Sequence, residues 1–420
     1  MSTVTESVPQ RGHAVVVGAG VVGMASALWL QRDGWSVLVC DPREPGEGCS
    51  FGNAGIVAVN QVTPPFSAGL LAEIPRMLFD PTWTVSIRWR YLPRFAPWLI
   101  RFLNASRPRR VAATCLAMSA LLGDSMAAHR ALLAAIGAQN LLCQQGWLAV
   151  YRRAKPSVQK ELAVKRGCGV RAEELDGPEI RQLVPALSKD LEFGVLYPDC
   201  GHVLDPFAVV QAYASHFQAE GGEIARTKVN GFTFNDRRVA AVRTENGDQP
   251  ADLVVLAAGA WSRGLAAELG ARVPLDTERG YHVTLPLPGV EVPMPVLAGD
   301  HRMSLTPMTP GLRIAGTAEF AGLDAPPNFA RHAALIERGR TLFPDLAAES
   351  HTAWMGHRPS TPDSMPVIGR APAVDNAYLA FGHGHLGLTT GPATARAIAD
   401  LAAGRAPAFD VTPFAAERFD

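Results

Sequence analysis

Residues 13–41 read HAVVVGAGVVGMASALWLQRDGWSVLVCD, from His13 to Asp41. Ala14–Val17 is continuously apolar, as a strand buried on both faces is. Gly18-Ala19-Gly20-Val21-Val22-Gly23 follows directly. The residues to Arg32 are good helix formers with apolar faces, and Gly34 suits a helix end. Ser36–Cys40 reads as a second buried strand with Asp41 at its carboxyl end. The first glycine serves a tight turn, the second lets backbone approach a pyrophosphate, and the third lets helix and strand pack closely. The helix N-terminus then presents free N–H groups and a partial positive charge to the phosphates. Asp41 stands about 20 residues beyond the glycines, where a carboxylate accepts from ribose hydroxyls. This pattern selects FAD or NAD over NADP without choosing between them.

The bounds set by composition agree with a dinucleotide enzyme. A chain of 420 residues, 48% hydrophobic, is long for one core and predicts two domains. Zero formal net charge argues against nucleic-acid binding through bulk charge. The six cysteines are scattered without a CxxC, which disfavours a metal site or a disulfide framework and fits a reducing compartment. Residues Met1–Gly12 are polar and lack the apolar core of a secretory signal. No uninterrupted apolar run reaches the roughly 18 residues of a membrane span.

Outward from the first motif, Ser50-Phe51-Gly52-Asn53-Ala54-Gly55 is a small-residue turn fit for close approach of an anion or ring edge, or an ordinary turn. Thr63–Pro108 mixes Trp83, Trp89 and Trp98 with Arg76, Arg88, Arg90, Arg94, Arg101 and Arg107. It reads as a packing or partner surface, or as short amphipathic segments on a membrane surface, with its prolines weighing against a continuous interfacial helix. Val111–Gly137 and Pro206–Glu220 read as helices; Trp147–Tyr151, Phe193–Tyr197, Glu223–Arg226, Val229–Phe234 and Arg238–Thr244 read as strands. Leu253–Leu256 is a buried strand that runs into Ala257-Ala258-Gly259-Ala260-Trp261-Ser262, and Ala377–Phe381 runs into Gly382-His383-Gly384-His385-Leu386-Gly387-Leu388-Thr389. Strand, small-residue turn and helix therefore recur at both ends and in the middle. One nucleotide domain assembled from separated segments follows, and NAD enzymes keep that domain contiguous more often, which tilts the reading to FAD.

Six motifs in one order resemble the D-amino-acid-oxidase-like flavoproteins, nearest to the bacterial D-amino-acid dehydrogenase small subunits and the D-hydroxyproline dehydrogenases. They are VVVGAGVVG with Asp41, SFGNAG, VVLAAGAWS, Arg279-Gly280-Tyr281-His282, GHRPSTPDSMPVIG and FGHGHLGLTTGP. The resemblance implies an α/β protein with an α+β substrate domain. A Rossmann-like FAD domain would comprise residues 1–62, 203–272 and 353–420, and a mixed or antiparallel-sheet substrate domain residues 63–202 and 273–352. It implies FAD held without a covalent link. Gly18, Gly20, Val22, Gly23, Asp41 and Pro42 would hold the adenosine diphosphate half; Ser50, Asn53, Ala54 and Gly55 would lie along the flavin. Val229 would meet the adenine through its backbone, and Ala258, Gly259 and Trp261 would close the pyrophosphate region. Gly384, His385, Gly387, Leu388 and Thr389 would face the pyrimidine edge, where a helix N-terminus stabilises the reduced ring.

The arginine that such enzymes often carry ahead of this segment to hold a substrate carboxylate is absent: the strand reads Leu305-Thr306-Pro307-Met308. Arg302, His301, Arg279 or Arg358 could replace it, or Tyr281 and His282 could bind the carboxylate as neutral donors. Strand alternation puts Arg279 and Tyr281 on one face and His282 on the other unless a bulge intervenes. Tyr281 with Arg302 is the pairing expected to hold substrate.

The implied activity is FAD-dependent oxidation of a D-amino acid or a cyclic, proline-like or hydroxyproline-like D-imino acid. A subunit of a hetero-oligomeric dehydrogenase and a non-catalytic FAD-binding scaffold are the alternatives. The partners expected are a small-molecule amine and an electron acceptor (oxygen, a quinone or an electron-transfer subunit), with no nucleic acid. The place expected is the cytoplasm, with peripheral membrane contact through residues 63–108 as the open alternative.

Overall fold

The computed structural model of the chain describes residues 11–64, 77, 79–80 and 82–420; residues 1–10 and Arg76, on which expectations were placed, lie outside them. His13–Val17, Ser36–Asp41, Glu223–Arg226, Leu253–Leu256 and Ala377–Phe381 form a parallel sheet, closed at one edge by the antiparallel Val367–Arg370. Val17 pairs with Cys40 on one side and Leu256 on the other, so the strands end together at one carboxyl edge. Ala14, Val15 and Val16 have no exposed surface, which accounts for their unbroken apolarity. Each fully buried valine contributes about 1.5–3 kcal/mol relative to exposure.

The helices Val21–Arg32, Pro206–Ala219 and Gly387–Ala402 cover one face of this sheet. The three-stranded Val229–Pro250 meander and the helix Ser262–Glu268 cover the other. The 28-residue helix Pro108–Ala135 packs on Gly387–Ala402, with Leu121, Leu122 and Leu132 buried in the same core. It is long and apolar enough to cross a membrane, but half of its apolar window is buried against the protein. Although it falls within the expected 63–202 segment, this helix shares its core with the helices on the parallel sheet.

The second large sheet runs Thr352–Ser360, Asp276–Leu285, Gly311–Phe320, Met303–Met308, Val296–Ala298, Trp147–Tyr151, Phe193–Tyr197 and Glu173–Asp176, with Val85–Ile87 beside the end of Gly311–Phe320. Its pairings are antiparallel except Val296–Ala298 with Trp147–Tyr151 and Val85–Ile87 with Gly311–Phe320. Thr352–Ser360, within the expected 353–420 segment, is an edge strand of this sheet. One face carries Tyr281, Val283, Met303 and Ile314 under the helix Ala330–Leu342. The opposite face presents His282 and Arg313 to the Phe51–Asn53 turn.

A bulge interrupts the sheet at the expected substrate strand. Arg279 pairs with Glu319 and Tyr281 with Gly316, so Gly280 alone faces both Thr317 and Ala318, and Thr317 takes a left-handed φ of 62°. The room over Gly280 is filled by Arg358: a Cβ there would stand 2.2 Å from its Cζ.

Within Thr63–Pro108, the helix Leu92–Ala105 buries Phe95, Trp98 and Phe102. Trp98 lies between the rings of Phe95 and Phe102, with centroids at 5.0 and 5.6 Å, and Phe95 meets Phe320 at 4.4 Å. The indole N–H of Trp98 reaches the carbonyl of Ser360 at 3.4 Å. Trp98 is thus a packing residue that seats this helix on the end of the large sheet.

Candidate active site

The carboxyl edge of the parallel sheet opens on a cavity of about 670 Å³, the position at which doubly wound sheets bind ligands. Gly18, Gly20, Val22, Asp41, Pro42, Ser50 and Asn53 line it, together with Val229, Ala258, Gly259, Trp261, Gly384, Gly387 and Leu388. Residues from all three separated chain segments therefore converge on one space.

The glycines of the first turn divide the work. Gly18 has φ 109°, and a Cβ there would lie 2.5 Å from the Ala257 carbonyl oxygen, so backbone meets backbone. A Cβ on Gly23 would stand 1.8 Å from the Gly18 oxygen, which makes Gly23 the helix–strand packing glycine; it does not line the cavity. A Cβ on Gly20 would meet only the Ser50 hydroxyl at 3.4 Å and would project into ligand space. Gly20 caps the helix without a side-chain acceptor and its first turn carries no acid; the Ser50 hydroxyl accepts from Val21 N–H at 3.0 Å. Asp41 accepts from Ala19 N–H and Arg43 N–H, both at 2.9 Å, and each carboxylate oxygen keeps further acceptor capacity for a ribose. The second helix, Gly387–Ala402, likewise starts without a side-chain cap and points its N-terminus at the cavity through Gly387 and Leu388. Two helix N-termini whose own N-cap residues make no side-chain cap, a carboxylate at the end of the second strand and a long space between them fit FAD.

The remaining residues of the expected cofactor set support this space from behind. Thr389 receives Ala58 N–H and donates to the Ile56 carbonyl, each at 3.1 Å. Gly55 N–H donates to the Asn53 side chain at 2.9 Å, and a Cβ on Gly55 would strike the Met308 methyl at 2.5 Å. Ala54 lies beside Gly55 in that turn and packs against the cluster around Trp147 and Val195.

Sequence reasoning missed several cavity residues. Arg43 stacks over Trp261 at 4.7 Å, and Cys49, Lys228, Asn230, His357 and Pro359 line the wall. His357 and Pro359 flank Arg358 in one strand, so alternation turns Arg358 to the opposite face, where its guanidinium lies over Gly280. The most consequential omission is Glu278. It is buried, pairs across the sheet with Arg358, accepts a hydrogen bond from the Ser360 hydroxyl, and faces His385 Nε2 at 3.2 Å. Burial pushes this carboxyl above its ordinary range, against the opposing pull of Ser360 and Arg358. The signal was an acid inside an otherwise buried strand, immediately ahead of Arg279-Gly280.

Tyr281, His301 and Arg302 do not line the cavity, and neither do Arg279, His282 and Arg358. The Tyr281 hydroxyl donates to Glu319 at 2.5 Å and accepts from Asn328 N–H at 3.0 Å. Glu319 also receives Arg88 at 2.8 Å and Arg279 at 3.2 Å. This network lies on the bulge's other side, with Arg279 reaching the carbonyls of Ala325 and Pro326. Arg302 sits at φ 50° in the turn before Met303–Met308, and its neighbour His301 binds Thr341 at 3.1 Å in a small dent walled by Val150, Asp300 and Leu342. His282 stacks on Trp354 at 5.2 Å and binds the Gly52 carbonyl at 3.1 Å; burial first, then Arg313, pushes its imidazole down to about 3. It therefore holds the Phe51–Asn53 turn as a neutral ring.

Residues 13–401 match the FAD-dependent oxidoreductase (DAO) family. The chain belongs to this family. A D-amino-acid oxidase of Bradyrhizobium diazoefficiens is 38% identical, covering 98% of this chain and 100% of that protein. A D-amino acid dehydrogenase of Rhizorhabdus wittichii is 31% identical, covering 96% and 99%. The crystal structure of L-proline dehydrogenase from P. horikoshii shares the fold, with a TM-score of 0.73 at 20% identity over 98% of each chain. The protein is an FAD-dependent oxidoreductase.

Proposed function

We propose that the enzyme oxidises the Cα–N bond of a D-amino acid or a cyclic D-imino acid, with the carboxylate of the substrate held by Arg358. Its 38% identity to a protein named D-amino-acid oxidase supports the substrate class. The observation that carries the residue assignment is the position of Arg358: its guanidinium lies over Gly280 and donates to the Thr317 carbonyl at 3.0 Å, and its two chain neighbours, His357 and Pro359, line the cavity. Burial lowers its affinity for a proton and Glu278 opposes this, so the guanidinium is a poorly solvated cation. Such a group gains more from a bidentate carboxylate than an exposed arginine does.

FAD, held along Gly20, Asp41, Ser50 and Gly387, would supply the acceptor for a hydride from the substrate Cα. The chain's own residues bind, orient and desolvate: Arg358 fixes the carboxylate, and the Phe51–Asn53 turn, clamped by His282 and Arg313, sets the wall opposite. A panel of D-amino acids, L-amino acids, prolines and N-alkyl glycines, assayed with a dye acceptor, tests the reading. Turnover confined to D-substrates supports it; turnover of L-substrates alone refutes it.

A peripheral membrane position also belongs to this proposal. Trp89, Ile100 and Leu116 are 67–69% exposed, and Arg90, Arg94, Arg101, Arg107, Arg109 and Arg110 are exposed around them. Apolar groups ringed by arginines suit an anionic lipid surface. Co-sedimentation with anionic vesicles that high salt abolishes supports this position, and the absence of sedimentation at low salt refutes it.

A further inference from the structure

The last helix, Gly387–Ala402, interrupts its own backbone ladder close to the cavity. Its sixth residue is Pro392. Proline has no N–H, so the carbonyl four residues earlier, on Leu388, has no donor within the helix. A proline ring also crowds the carbonyl at that position and bends a helix there. Leu388 is 2% exposed, and a buried carbonyl without a donor is costly. The donor comes from elsewhere in the chain: His129 Nε2 meets the Leu388 oxygen at 2.8 Å, across 259 residues of sequence. A carbonyl only accepts, so Nε2 carries the proton. His129 has no exposed surface, and burial pushes its imidazole down to about 4, against the backbone contacts at Leu388 and Thr389. It is a neutral ring whose one N–H is committed to the carbonyl that Pro392 frees.

We propose that His129 is a positioning residue for the flavin: by holding the Leu388 carbonyl, it aims the first turn of the last helix at the ring; this rests on the flavin lying against Gly387, as read above, and not on the choice of substrate. Gly387 and Leu388 both line the cavity, and the N-cap residue Leu386 supplies no side-chain cap. The positive end of the helix therefore faces that space, where it stabilises negative charge on a reduced flavin more than it stabilises the neutral oxidised ring.

An unbroken helix sets the direction of its first turn through its own ladder. Here outside contacts share that task. The Thr389 hydroxyl takes Ala58 N–H and donates to the Ile56 carbonyl, each at 3.1 Å, which ties the turn to the first chain segment. His129 ties the preceding residue to the long helix Pro108–Ala135. That helix is also fastened to the last helix beyond the break, where Arg396 pairs with Asp124. The long helix thus acts as a splint: it holds Leu388 on one side of Pro392 and Arg396 on the other. Without the His129 N–H the splint is free at its cavity end. The turn is then held there by Thr389 alone, and its N–H groups lose part of their aim.

The test uses the FAD-loaded full chain and four variants. His129→Leu removes the donor, His129→Gln keeps one, Pro392→Ala restores a donor within the helix, and the last combines His129→Leu with Pro392→Ala. The reduction potential of the bound flavin is read against reference dyes without substrate, so the substrate assignment and this inference fail separately. His129→Leu should lower the ratio of reduced to oxidised flavin about fivefold at a fixed dye poise, in the range of helix-terminus effects. For a two-electron couple that is about 20 mV. Release of FAD on dilution should quicken by a similar factor. His129→Gln should stay within about twofold of the wild type, because a donor remains. In the Pro392→Ala background, loss of His129 should cost less than about twofold, since the carbonyl then has a donor in its own helix. An equal fall in both backgrounds, or a lower melting temperature with an unmoved potential, overturns the positioning role. Gly387→Ala checks the placement of the flavin. Its Cβ would meet only the His383 Cβ, at 3.6 Å, so the methyl enters ligand space and should move the potential or the FAD content by itself. If it moves neither, the placement fails and this inference with it; if it moves either while His129→Leu does not, the positioning role alone fails.

Discussion

Arg313 and Asn53 join the large mixed sheet to the Phe51–Asn53 turn: Nη1 of the arginine donates to the Asn53 carbonyl at 2.8 Å, and the same nitrogen reaches the Phe51 carbonyl at 3.0 Å. Nε adds a bond to the Thr284 hydroxyl at 3.4 Å. Arg313 is 4% exposed, and among the described residues no carboxylate stands within ion-pair distance of it. Burial accordingly pushes its guanidinium down to about 10. A buried cation satisfied by carbonyl dipoles is a rigid strut, since no salt-bridge partner could swing away with it.

Arg313→Met should therefore loosen the turn along the flavin. Hydrogen bonds from charged groups contribute about 1.5–3 kcal/mol. A fall in thermal stability of that order and faster release of FAD on dilution, read by flavin fluorescence, are expected. Unchanged FAD release would show that the turn holds its shape without the strut.

The glycines of the first turn should separate cofactor binding from folding. Gly20→Ala adds a Cβ that touches only Ser50 in the protein but enters pyrophosphate space. It should purify with near-normal apoprotein stability and little FAD. Gly23→Ala drives a methyl into the Gly18 carbonyl and should lower the melting temperature of the apoprotein itself. Equal stability loss in both would refute this division.

Tyr281→Phe removes a hydroxyl engaged by Glu319 and Asn328, both away from the cavity. Leaving a buried carboxylate short of one donor costs about 1–3 kcal/mol. Stability should fall by that order while KM for a D-amino acid changes less than about twofold. Arg302→Ala should also leave KM unchanged. A rise of about tenfold in KM for either variant would return that residue to the substrate site.

The buried histidines predict an acid-labile fold. Burial holds His129, His202 and His357 down to about 4, and His282 and His383 to about 3. Unfolded imidazoles take up protons near 6.5, so between that pH and about 4 the unfolded chain binds more protons. Stability is then fully present above about 6.5 and is lost as pH falls below it. The melting temperature of the holoprotein should drop between pH about 7.5 and about 5. His129→Gln keeps a donor for the Leu388 carbonyl, which His129 Nε2 meets at 2.8 Å, and should reduce that slope by about one proton. A slope identical to wild type would show that His129 does not contribute.

The nucleotide half was legible because its strands are buried on both faces and each runs into small residues where backbone must approach a ligand. Glu223–Arg226, Leu253–Leu256 and Ala377–Phe381 occupy the predicted ranges. The substrate face was not legible. Nine of the ten residues in Asp276–Leu285 are buried, and polar groups occur on both sides of the strand, so alternation separates two faces without saying which one meets the cofactor. Thr317 and Ala318 form their bulge in the neighbouring strand, where the spacing of Arg279 and Tyr281 carries no trace of it. Arg302 was read beside a strand, whereas its left-handed turn conformation carries it away from the site. Glu278 escaped notice because a lone acid carries no spacing pattern; only its cross-strand partner Arg358, 80 residues later in the chain, gives it meaning.

The order of strands in the parallel sheet sets a timetable for biosynthesis. Its centre joins residues 13–17 to residues 253–256, and these in turn to residues 377–381. The N-terminal glycine turn leaves the ribosome early, yet the wall formed by Gly384, Gly387 and Leu388 is translated last. A nascent chain can close the Val17–Leu256 pairing well before it can enclose the flavin ring. Cofactor capture therefore waits on residues 377–388, and until they are made the carboxyl edge and the open side of the strand Leu253–Leu256 stay exposed to chaperones or to a neighbouring nascent chain.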